Sequence, residues 1–451
     1  MCLLKIYTLY TAKKSSNMNK NCILSEYLKP SFASEGPKSH WFGYYNYSPI
    51  SADGTKLLSQ EVDFDGRDIL PEDTADVGWY DLKDGSWHKV ATTRAINWQQ
   101  GSMLQWLGPD FNTRIIFNDV EGEHFCSRIY NIATDEMKTI PFPVYGISPD
   151  GKFSITLQFE RCAWCRAYHY ESIRNPKWNV NVPEEDGVFH VNLETGEVKR
   201  IIAIGDIVAL LKPGESDGTE SHWLEHIMLN PSGTRFAFYH RYGHGYEFNT
   251  IAYTANVDGS DFERIPCEAR TWFSHLGWRT DDEFVVYTYK RARIQKGYLS
   301  VRKSSRKTML SLVISLLRKV ARLVLSQDTR SKMLCSNYYV FAKDRDCILS
   351  TTQRDSISVY NDGHPSFTKD GHYMLTDSYA DKEGYRSLLL YNCRNRKHIV
   401  LGRFHSPFNC CGYRADLHPR FGRDEKSVIV DSAHSGQHQI YVFDIDWSKI
   451  K

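Results

Sequence analysis

The stretch that decides the fold is "SPDGKFSITL" at residues 148–157, followed by "VFHVNLETGEVKRI" at residues 188–201. The first stretch is an Asp-Gly turn that leads into an alternating apolar strand. Asp-Gly is typical of tight hairpins because both residues tolerate positive φ angles. The second stretch is a strand, a polar turn and a return strand. Together they predict one unit of antiparallel sheet.

Both patterns recur along the chain in strict alternation. Further copies of the first are "SADGTKLLS" (51–59), "GPDFNTRIIF" (108–117), "NPSGTRFAFY" (230–239), "WRTDDEFVVY" (278–287), "FTKDGHYMLT" (367–376) and "FGRDEKSVIV" (421–430). Further copies of the second are "WYDLKDGSWHKV" (79–90), "IYNIATDEMKTI" (129–140), "AYTANVDGSDFERI" (252–265), "YYVFAKDRDCIL" (338–349), "LLLYNCRNRKHIVL" (388–401) and "IYVFDIDW" (440–447).

This alternation predicts an all-β fold, a seven-bladed β-propeller, with six or eight blades as the alternatives. The last copy lacks its return strand, and residues 22–48 are available to supply it. Ring closure of this kind removes the exposed sheet edges of an open array. We therefore expect a single propeller domain over residues 22–451. Residues 1–21 are expected to be a disordered leader or a misassigned start.

The charge is balanced overall but uneven along the chain. A formal net charge of +2 gives no indication of nucleic-acid binding. Residues 302–332, however, hold nine Lys or Arg residues and one acidic residue. Apolar residues at helical spacing predict a basic amphipathic helical insertion at about residues 300–335. Such a helix suits peripheral contact with an anionic membrane, or it packs on its own propeller with its charges in solvent.

The cellular setting is inferred from two further features. Eleven cysteines without regular spacing favour reduced thiols, and no apolar run reaches the length of a membrane span. We therefore expect a cytoplasmic protein, peripheral at the inner membrane if the basic segment binds lipid. We also expect a monomer.

Histidines occupy one register position in four consecutive units. His226, His275, His364 and His418 each lie six residues before the turn residue that heads the next strand. In a propeller, equivalent positions at the start of inner strands converge on the central channel. Single histidines in propellers often only bond to strand backbone, but four at one register indicate a functional cluster. Convergent neutral imidazoles suit a transition metal or acid–base chemistry near neutral pH.

The histidine column resembles that of the oligogalacturonate lyase family, and more loosely those of ulvan lyases and TolB-like propellers. The segments that carry the resemblance are "SHWLEHIMLNPSG" (221–233), "SHLGW" (274–278), "NDGHPSFTKDG" (361–371) and "ADLHPRFGRDE" (415–425). In those lyases, histidines from three blades and a glutamine hold manganese, and a further histidine is the base. The resemblance implies His275, His364, His418 and Asn361 as metal ligands and His226 as base. Asn361 is a departure, since its amide is shorter than that of glutamine.

The reaction implied by the resemblance is β-elimination from a uronate. It needs a positive charge at the carboxylate, a base for the C5 proton and an acid for the leaving oxygen. Arg414 or a divalent metal, favoured to be manganese, would supply the charge, and Tyr45 would supply the acid. Other polar residues expected near the channel are assigned to substrate binding: His40, Tyr44, His222 and Arg420.

The function predicted from the sequence is therefore that of a carbohydrate-active propeller with an acidic oligosaccharide or polysaccharide as its partner. The sharper form of this hypothesis is a polysaccharide lyase. Two alternatives from other classes remain open: a saccharide-binding module without turnover, and a scaffold for a cell-surface polysaccharide assembly. No phosphate-binding loop or nucleophile elbow is present in the sequence.

The membrane interpretation of residues 302–332 makes a direct prediction. The intact chain should float with anionic liposomes, and a deletion of 302–332 should not, because the segment holds the excess positive charge. Neutral liposomes are the control. Equal flotation of both chains with anionic liposomes would favour the interpretation in which the segment packs on its own propeller.

Overall fold

The structure is a computed structural model of the 451-residue chain. It describes residues 21–162, 169–173, 177, 179–244, 247–265, 271–290, 337–342, 356–357, 362–408 and 413–450. Within these ranges the strands form seven antiparallel sheets, and each sheet runs outward from an inner strand. The prediction of an all-β, seven-bladed propeller is confirmed.

The first three blades follow one another along the chain. Blade 1 consists of β3 (Ser39–Trp41), β4 (Lys56–Val62), β5 (Ala75–Asp81) and β6 (Trp87–Thr93). Blade 2 consists of β7 (Gln105–Trp106), β8 (Arg114–Glu121), β9 (His124–Asn131) and β10 (Glu136–Ile140). Blade 3 consists of β11 (Gly146–Ile147), β12 (Phe153–Thr156), β13 (Gly187–Asn192) and β14 (Val198–Ala203).

The next two blades have the same order. Blade 4 consists of β15 (Ser221–Leu229), β16 (Arg235–His244), β17 (Glu247–Asn256) and β18 (Glu263–Arg264). Blade 5 consists of β19 (Thr271–Trp278), β20 (Glu283–Lys290), β21 (Asn337–Ala342) and β22 (Ser356–Ile357). The helices of the described residues are short: α1 (Phe159–Cys162), α2 (Ile204–Ala209) and a 3₁₀ turn at Trp447–Lys449.

The last two blades each take a strand from the N-terminal part of the chain. Blade 6 has β23 (Ser366–Phe367), β24 (Tyr373–Asp377), β25 (Tyr385–Asn392) and β26 (Lys397–His405), and β1 (Cys22–Leu24) pairs with β26 as a fifth strand. Blade 7 has β27 (Arg420–Phe421), β28 (Ser427–Ser432) and β29 (Gln439–Ile445), and β2 (Leu28–Ala33) completes it. The predicted closing strand is therefore β2, whereas the fifth strand of blade 6 was not predicted.

Burial changes from the inner to the outer edge of each blade. The second strand of blade 7, β28, is almost wholly buried, whereas the outer strands β10 and β14 begin with three exposed residues. The apolar cores lie between neighbouring sheets, for example Leu375 and Leu390 of blade 6 with Val428 and Phe443 of blade 7. Inner strands are buried on both faces because a blade lies on either side of them.

The turn that heads each repeat tolerates more than glycine. Gly151 has φ +70° in blade 3, and Glu425 holds the same turn position in blade 7 with φ +57°. Residues with a side chain rarely adopt this left-handed backbone conformation, so Glu425 is sterically strained there. The repeat is thus defined by backbone shape more than by the Asp-Gly pair itself.

The segment after β3 crosses the central channel. Tyr44 and Tyr45 pack in one core cluster with Met228, Phe273 and Leu276 of blades 4 and 5, on the far side of the ring. The hydroxyl of Tyr45 donates to the carbonyl oxygen of Leu276 at 2.6 Å. The channel is therefore filled at this level by two aromatic side chains.

A single carboxylate of blade 7 holds the start of this crossing segment. Asp431 accepts hydrogen bonds from the backbone N–H groups of Phe42 and Gly43, both at 3.1 Å. Its Oδ1 also lies 2.9 Å from Nη2 of the buried Arg420. Gly43 has φ +122°, and a side chain there would meet the backbone of Gln100 at 2.7 Å. These contacts join the first and last blades.

Two predictions fall on residues that the structure does not describe. The helical insertion at about 300–335 lies outside the described residues, as does the leader apart from Asn21. Over the ranges that are described, none of the helices has both the length and the apolar character of a membrane span.

The Asp431 contacts make a prediction about stability. Replacing Asp431 by Ala should lower the free energy of unfolding by about 3 kcal/mol, because it leaves the buried Arg420 without its ion-pair partner. The measurement is urea denaturation followed by tryptophan fluorescence. The exposed Asp444 on β29 is the matched control, and its replacement by Ala should change stability by less than about 0.5 kcal/mol. Equal effects of both substitutions would contradict this account.

Candidate metal centre

The four histidines of the predicted column do converge on the channel. His226 lies on β15 and His275 on β19, and His364 and His418 each lie two residues before an inner strand. The rings of His275 and His364 have centroids 4.1 Å apart, and those of His364 and His418 are 4.3 Å apart. Three imidazoles from blades 5, 6 and 7 therefore form a continuous row.

Register shifts in two inner strands determine the direction in which the His226 and His275 side chains point. The pairing of β15 with β16 shifts register between Glu225 and Met228, and that of β19 with β20 shifts between Phe273 and Leu276. His226 and His275 each lie inside such a shift. β-Bulges commonly redirect side chains next to functional sites.

Backbone strain occurs at two of the four positions. His226 has φ +60° and His418 has φ +41°, in the left-handed region that favours glycine. Strain of this kind persists only where the surroundings fix it, and it concentrates at functional sites.

Carboxylates hold two of the three imidazoles in the row. Nδ1 of His364 lies 2.8 Å from Oδ1 of Asp377, and Nδ1 of His275 lies 2.9 Å from Oδ1 of Asp362. Asp377 also accepts a hydrogen bond from the backbone N–H of Leu417, next to His418. A histidine whose Nδ1 is bonded to a carboxylate is oriented with Nε2 available, which is the usual arrangement of metal-bound histidines.

A third carboxylate joins the row as a candidate ligand. One ligand atom each from His364, Asp416 and His418 lies within 4.8 Å of the others, and all three residues are buried. Nε2 of His364 and Nε2 of His418 make no hydrogen bond to any residue that the structure describes. Buried polar atoms without partners are costly, so a bound cation would account for them.

Two arginines flank the candidate carboxylate. Oδ1 of Asp416 lies 2.6 Å from Nη1 of Arg386, and Oδ2 lies 2.5 Å from Nε of Arg414. Burial alone would raise the pKa of Asp416, but the two guanidinium groups hold it well below the usual value. Asp416 is therefore an anion at neutral pH, as a metal ligand must be.

Two imidazoles of the row, those of His364 and His418, are neutral at physiological pH. Burial, with a smaller contribution from the neighbouring His275, lowers the pKa of His364 well below 6.5. Burial and the adjacent His364 lower the pKa of His418 in the same way. The donor set of neutral imidazoles and a carboxylate is one that divalent first-row metals prefer. The residues present therefore fit a divalent metal.

His226 lies apart from the row. Its Nδ1 is 3.2 Å from Oε2 of Glu225, which also forms an ion pair with Arg241 at 2.6 Å. Burial lowers the pKa of His226 to about 4, against the opposing effect of Glu225. Its ring contacts that of Tyr44, with a centroid distance of 5.7 Å. The unprotonated form that a base requires is thus present at neutral pH.

Tyr44 and Tyr45 are brought to the histidines, but as packing partners. The Tyr45 ring lies 5.2 Å from that of His364, and the Tyr44 ring lies 5.5 Å from that of His418. All four histidines and both tyrosines are buried, so the column packs against a filled channel and does not line an open funnel. A proton-donor role for Tyr45 would require its bond to Leu276 to break.

Three residues predicted to bind substrate have other contacts. His40 lies within blade 1, where its ring nitrogens bond to the hydroxyl of Tyr80. Nδ1 of His222 bonds to Nε2 of His240 within blade 4, at 2.9 Å. Arg420 is buried and binds Asp431 and backbone oxygens. The structure therefore does not bring His40 and His222 to the histidine row. The proposed ligand Asn361 lies outside the described residues.

The sequence interpretation did not single out Asp377, Arg386 or Tyr379. Asp377 ends β24, and Tyr379 follows it by two residues, with its ring centroid 6.2 Å from His275 and 6.3 Å from His364. The only sequence signal was the polar run "TDSYADKEGYR" (376–386) in the hairpin of blade 6, next to the blade that supplies His418. Arg414 was predicted, and it reaches the centre through Asp416.

The fold and these side chains define a seven-bladed β-propeller with a candidate metal centre at its channel. No protein-family model matches the sequence, and no curated protein sequence matches it. Among solved structures, an oligogalacturonate lyase in complex with manganese is similar, with a TM-score of 0.59 and 16% identity over 94% of this chain and 98% of the lyase.

Two further solved structures are similar to this chain to different degrees. The oligogalacturonate lyase of Vibrio parahaemolyticus aligns with a TM-score of 0.58 and 14% identity, over 94% of this chain and 96% of that one. TolB of Acinetobacter baumannii aligns with a TM-score of 0.36 and 10% identity, over 87% of this chain and 81% of that one. The two lyase structures confirm in structure the resemblance stated from the sequence, and at these identities they establish the fold.

The buried histidines make a prediction about pH and stability. Burial lowers the pKa of His222 from 6.5 to about 4, so between these values the unfolded chain takes up a proton that the folded chain does not. Stability should therefore be full above pH 6.5 and should fall as the pH drops towards 4, by at most about 1.4 kcal/mol per pH unit for this group.

The measurement is the unfolding midpoint between pH 7.5 and pH 4, taken with roughly unit steps. His222→Gln should have a shallower slope than the wild type, whatever its absolute stability. The exposed His398 is the control, and His398→Gln should keep the wild-type slope. An unchanged slope in His222→Gln would show that this histidine does not couple stability to pH.

Proposed function

We propose that the protein is a carbohydrate-active propeller that cleaves uronate-containing saccharides by β-elimination at the candidate metal centre. The observation that carries the proposal is the group of His364, Asp416 and His418, whose buried ligand atoms lie within 4.8 Å of one another. The similar lyase structure with manganese bound supports the choice of metal. The proposal takes its reaction from that resemblance and its residues from this chain.

The metal would be held by His364, Asp416 and His418, with His275 completing the row of imidazoles. Bound there, a divalent cation would neutralise the uronate carboxylate and make the C5 proton more acidic. Asp377 and Asp362 fix the orientation of two of the imidazoles. Asn361 keeps its proposed place as an amide ligand.

The remaining roles fall to side chains around the row. Arg414 would bind the substrate carboxylate, since its side chain is 20% exposed while that of Arg386 is 2% exposed. His226 would take the C5 proton, because its low pKa leaves it unprotonated at neutral pH. Tyr45 remains the proposed acid for the leaving oxygen and Tyr44 a proposed substrate contact, whereas His40, His222 and Arg420 are left out of the proposal because their side chains bond to other residues within the blades.

A second candidate function is saccharide binding without turnover, or scaffolding of a polysaccharide assembly. The burial of all four histidines favours it, since a structural metal is normally closed to substrate. If the protein has this second function, the cytoplasmic location and the membrane contact through residues 302–332 that the sequence predicts would bring the propeller to its partners.

The first experiment is metal analysis of protein purified without a metal-affinity tag. The wild type should contain about one equivalent of manganese, zinc or iron, and the double variant His364→Ala/His418→Ala should contain little, because it lacks two of the ligands. His398→Ala, exposed on blade 6, is the control and should keep the metal. No metal in the wild type would remove the metal centre from the proposal.

The second experiment separates the two candidate functions. Uronate polymers incubated with the manganese-loaded wild type should yield unsaturated products, followed by their ultraviolet absorbance. His226→Ala should lower kcat by at least about 100-fold while keeping the metal, because removal of a general base costs this much. Bound metal with no elimination from any uronate polymer would leave the binding function as the better account.

A further inference from the structure

Tyr379 is an exposed aromatic side chain next to the candidate metal centre. Its side chain is 40% exposed, whereas the histidines beside it are buried. It lies in the loop between β24 and β25, two residues after the Asp377 that orients His364. Tyr379 is therefore an exposed side chain whose ring contacts the buried histidine row.

The ring of Tyr379 is surrounded by the polar groups of the centre. Besides its contacts with His275 and His364, the Cζ atom of Arg386 lies 5.7 Å from the ring centroid and that of Arg414 lies 5.9 Å away. Exposed aromatic rings next to convergent polar groups are the usual floor of a sugar subsite, because a pyranose ring stacks on them.

The charges nearby favour an anionic sugar ring. Arg386 is buried and committed to Asp416, whereas Arg414 is partly exposed and also contacts the side chain of Gln99 at 3.3 Å. A ligand that stacks on Tyr379 would therefore place a carboxylate within reach of one accessible guanidinium group. Guanidinium groups bind carboxylates in a planar, two-bond geometry.

We propose that Tyr379 is the stacking platform of the substrate subsite, on which one uronate ring lies with its carboxylate turned towards Arg414. This inference rests on the proposed function and adds to it a specificity-determining residue and the orientation of the sugar. Tyr379 acts through its ring face, so its hydroxyl is dispensable for binding. The ring of Tyr379 favours ligands that contain a pyranose ring, and Arg414 favours ligands that carry a negative charge.

The test is calorimetric binding of a galacturonate trimer to manganese-loaded protein, with metal content measured on each sample. Tyr379→Ala should weaken binding by about ten-fold, and Tyr379→Phe should bind like the wild type because it keeps the ring. The neutral galactose trimer should bind less tightly than the galacturonate trimer to the wild type, and Arg414→Gln should remove that preference. Tyr385→Ala is the matched control, since Tyr385 lies in the same hairpin but contacts Arg403 and His405.

The outcomes separate the two proposals. If the wild type binds and cleaves the galacturonate trimer but Tyr379→Ala binds it equally well, the platform is wrong and the proposed function stands. Loss of binding in Tyr379→Phe as well as in Tyr379→Ala would also overturn the platform, since the ring alone would not suffice. If the metal-loaded wild type neither binds nor cleaves the trimer, both proposals fall for this sugar class.

Discussion

The pairing of β2 with β29 is the constraint on which the rest of the structure depends. It completes the last blade with a strand from the start of the propeller and so brings Asp431 against the turn that follows β3. That carboxylate binds two backbone N–H groups and the guanidinium group of Arg420. With the turn fixed, Tyr44 and Tyr45 cross the channel and reach blades 4 and 5. Tyr44 and Tyr45 then contact the rings of the histidines, so the packing of the candidate centre depends on the contacts that close the ring.

The candidate centre depends on the common repeat position of its histidines and on the carboxylates that bond to them. The imidazoles point towards the channel because the backbone that carries them is irregular. β15 and β19 each contain a register shift, and His226 and His418 have left-handed backbone. Asp377 serves two blades, because it bonds to His364 and to the backbone next to His418. Blade 6 therefore fixes its own His364 and also the backbone next to His418 of blade 7.

The sequence predicted what depends on local pattern. The turns and alternating strands predicted seven blades, and the incomplete last unit indicated a closing strand. One register position identified four histidines, three of which the structure brings into one row. The structure adds what depends on distant contacts. The filling of the channel by Tyr44 and Tyr45 joins residues about 230 positions apart, and no periodicity signals it. Asp416 emerged as a candidate ligand from its distance to two histidines, whereas the resemblance had pointed to Asn361. His40 and His222 share a residue type with the column but not its register, and they lie elsewhere.

The two strands that precede β3 also bear on the order in which the molecule can be made. Residues 22–24 pair with residues 402–404, and residues 28–33 pair with residues 441–445. During synthesis these strands leave the ribosome before the strands that they pair with. The intervening blades can stack one by one, but β1 and β2 stay unpaired until β26 and β29 have been made. An open ring with unpaired edges is therefore an obligatory state of the nascent chain, and it is the state most exposed to association with other chains.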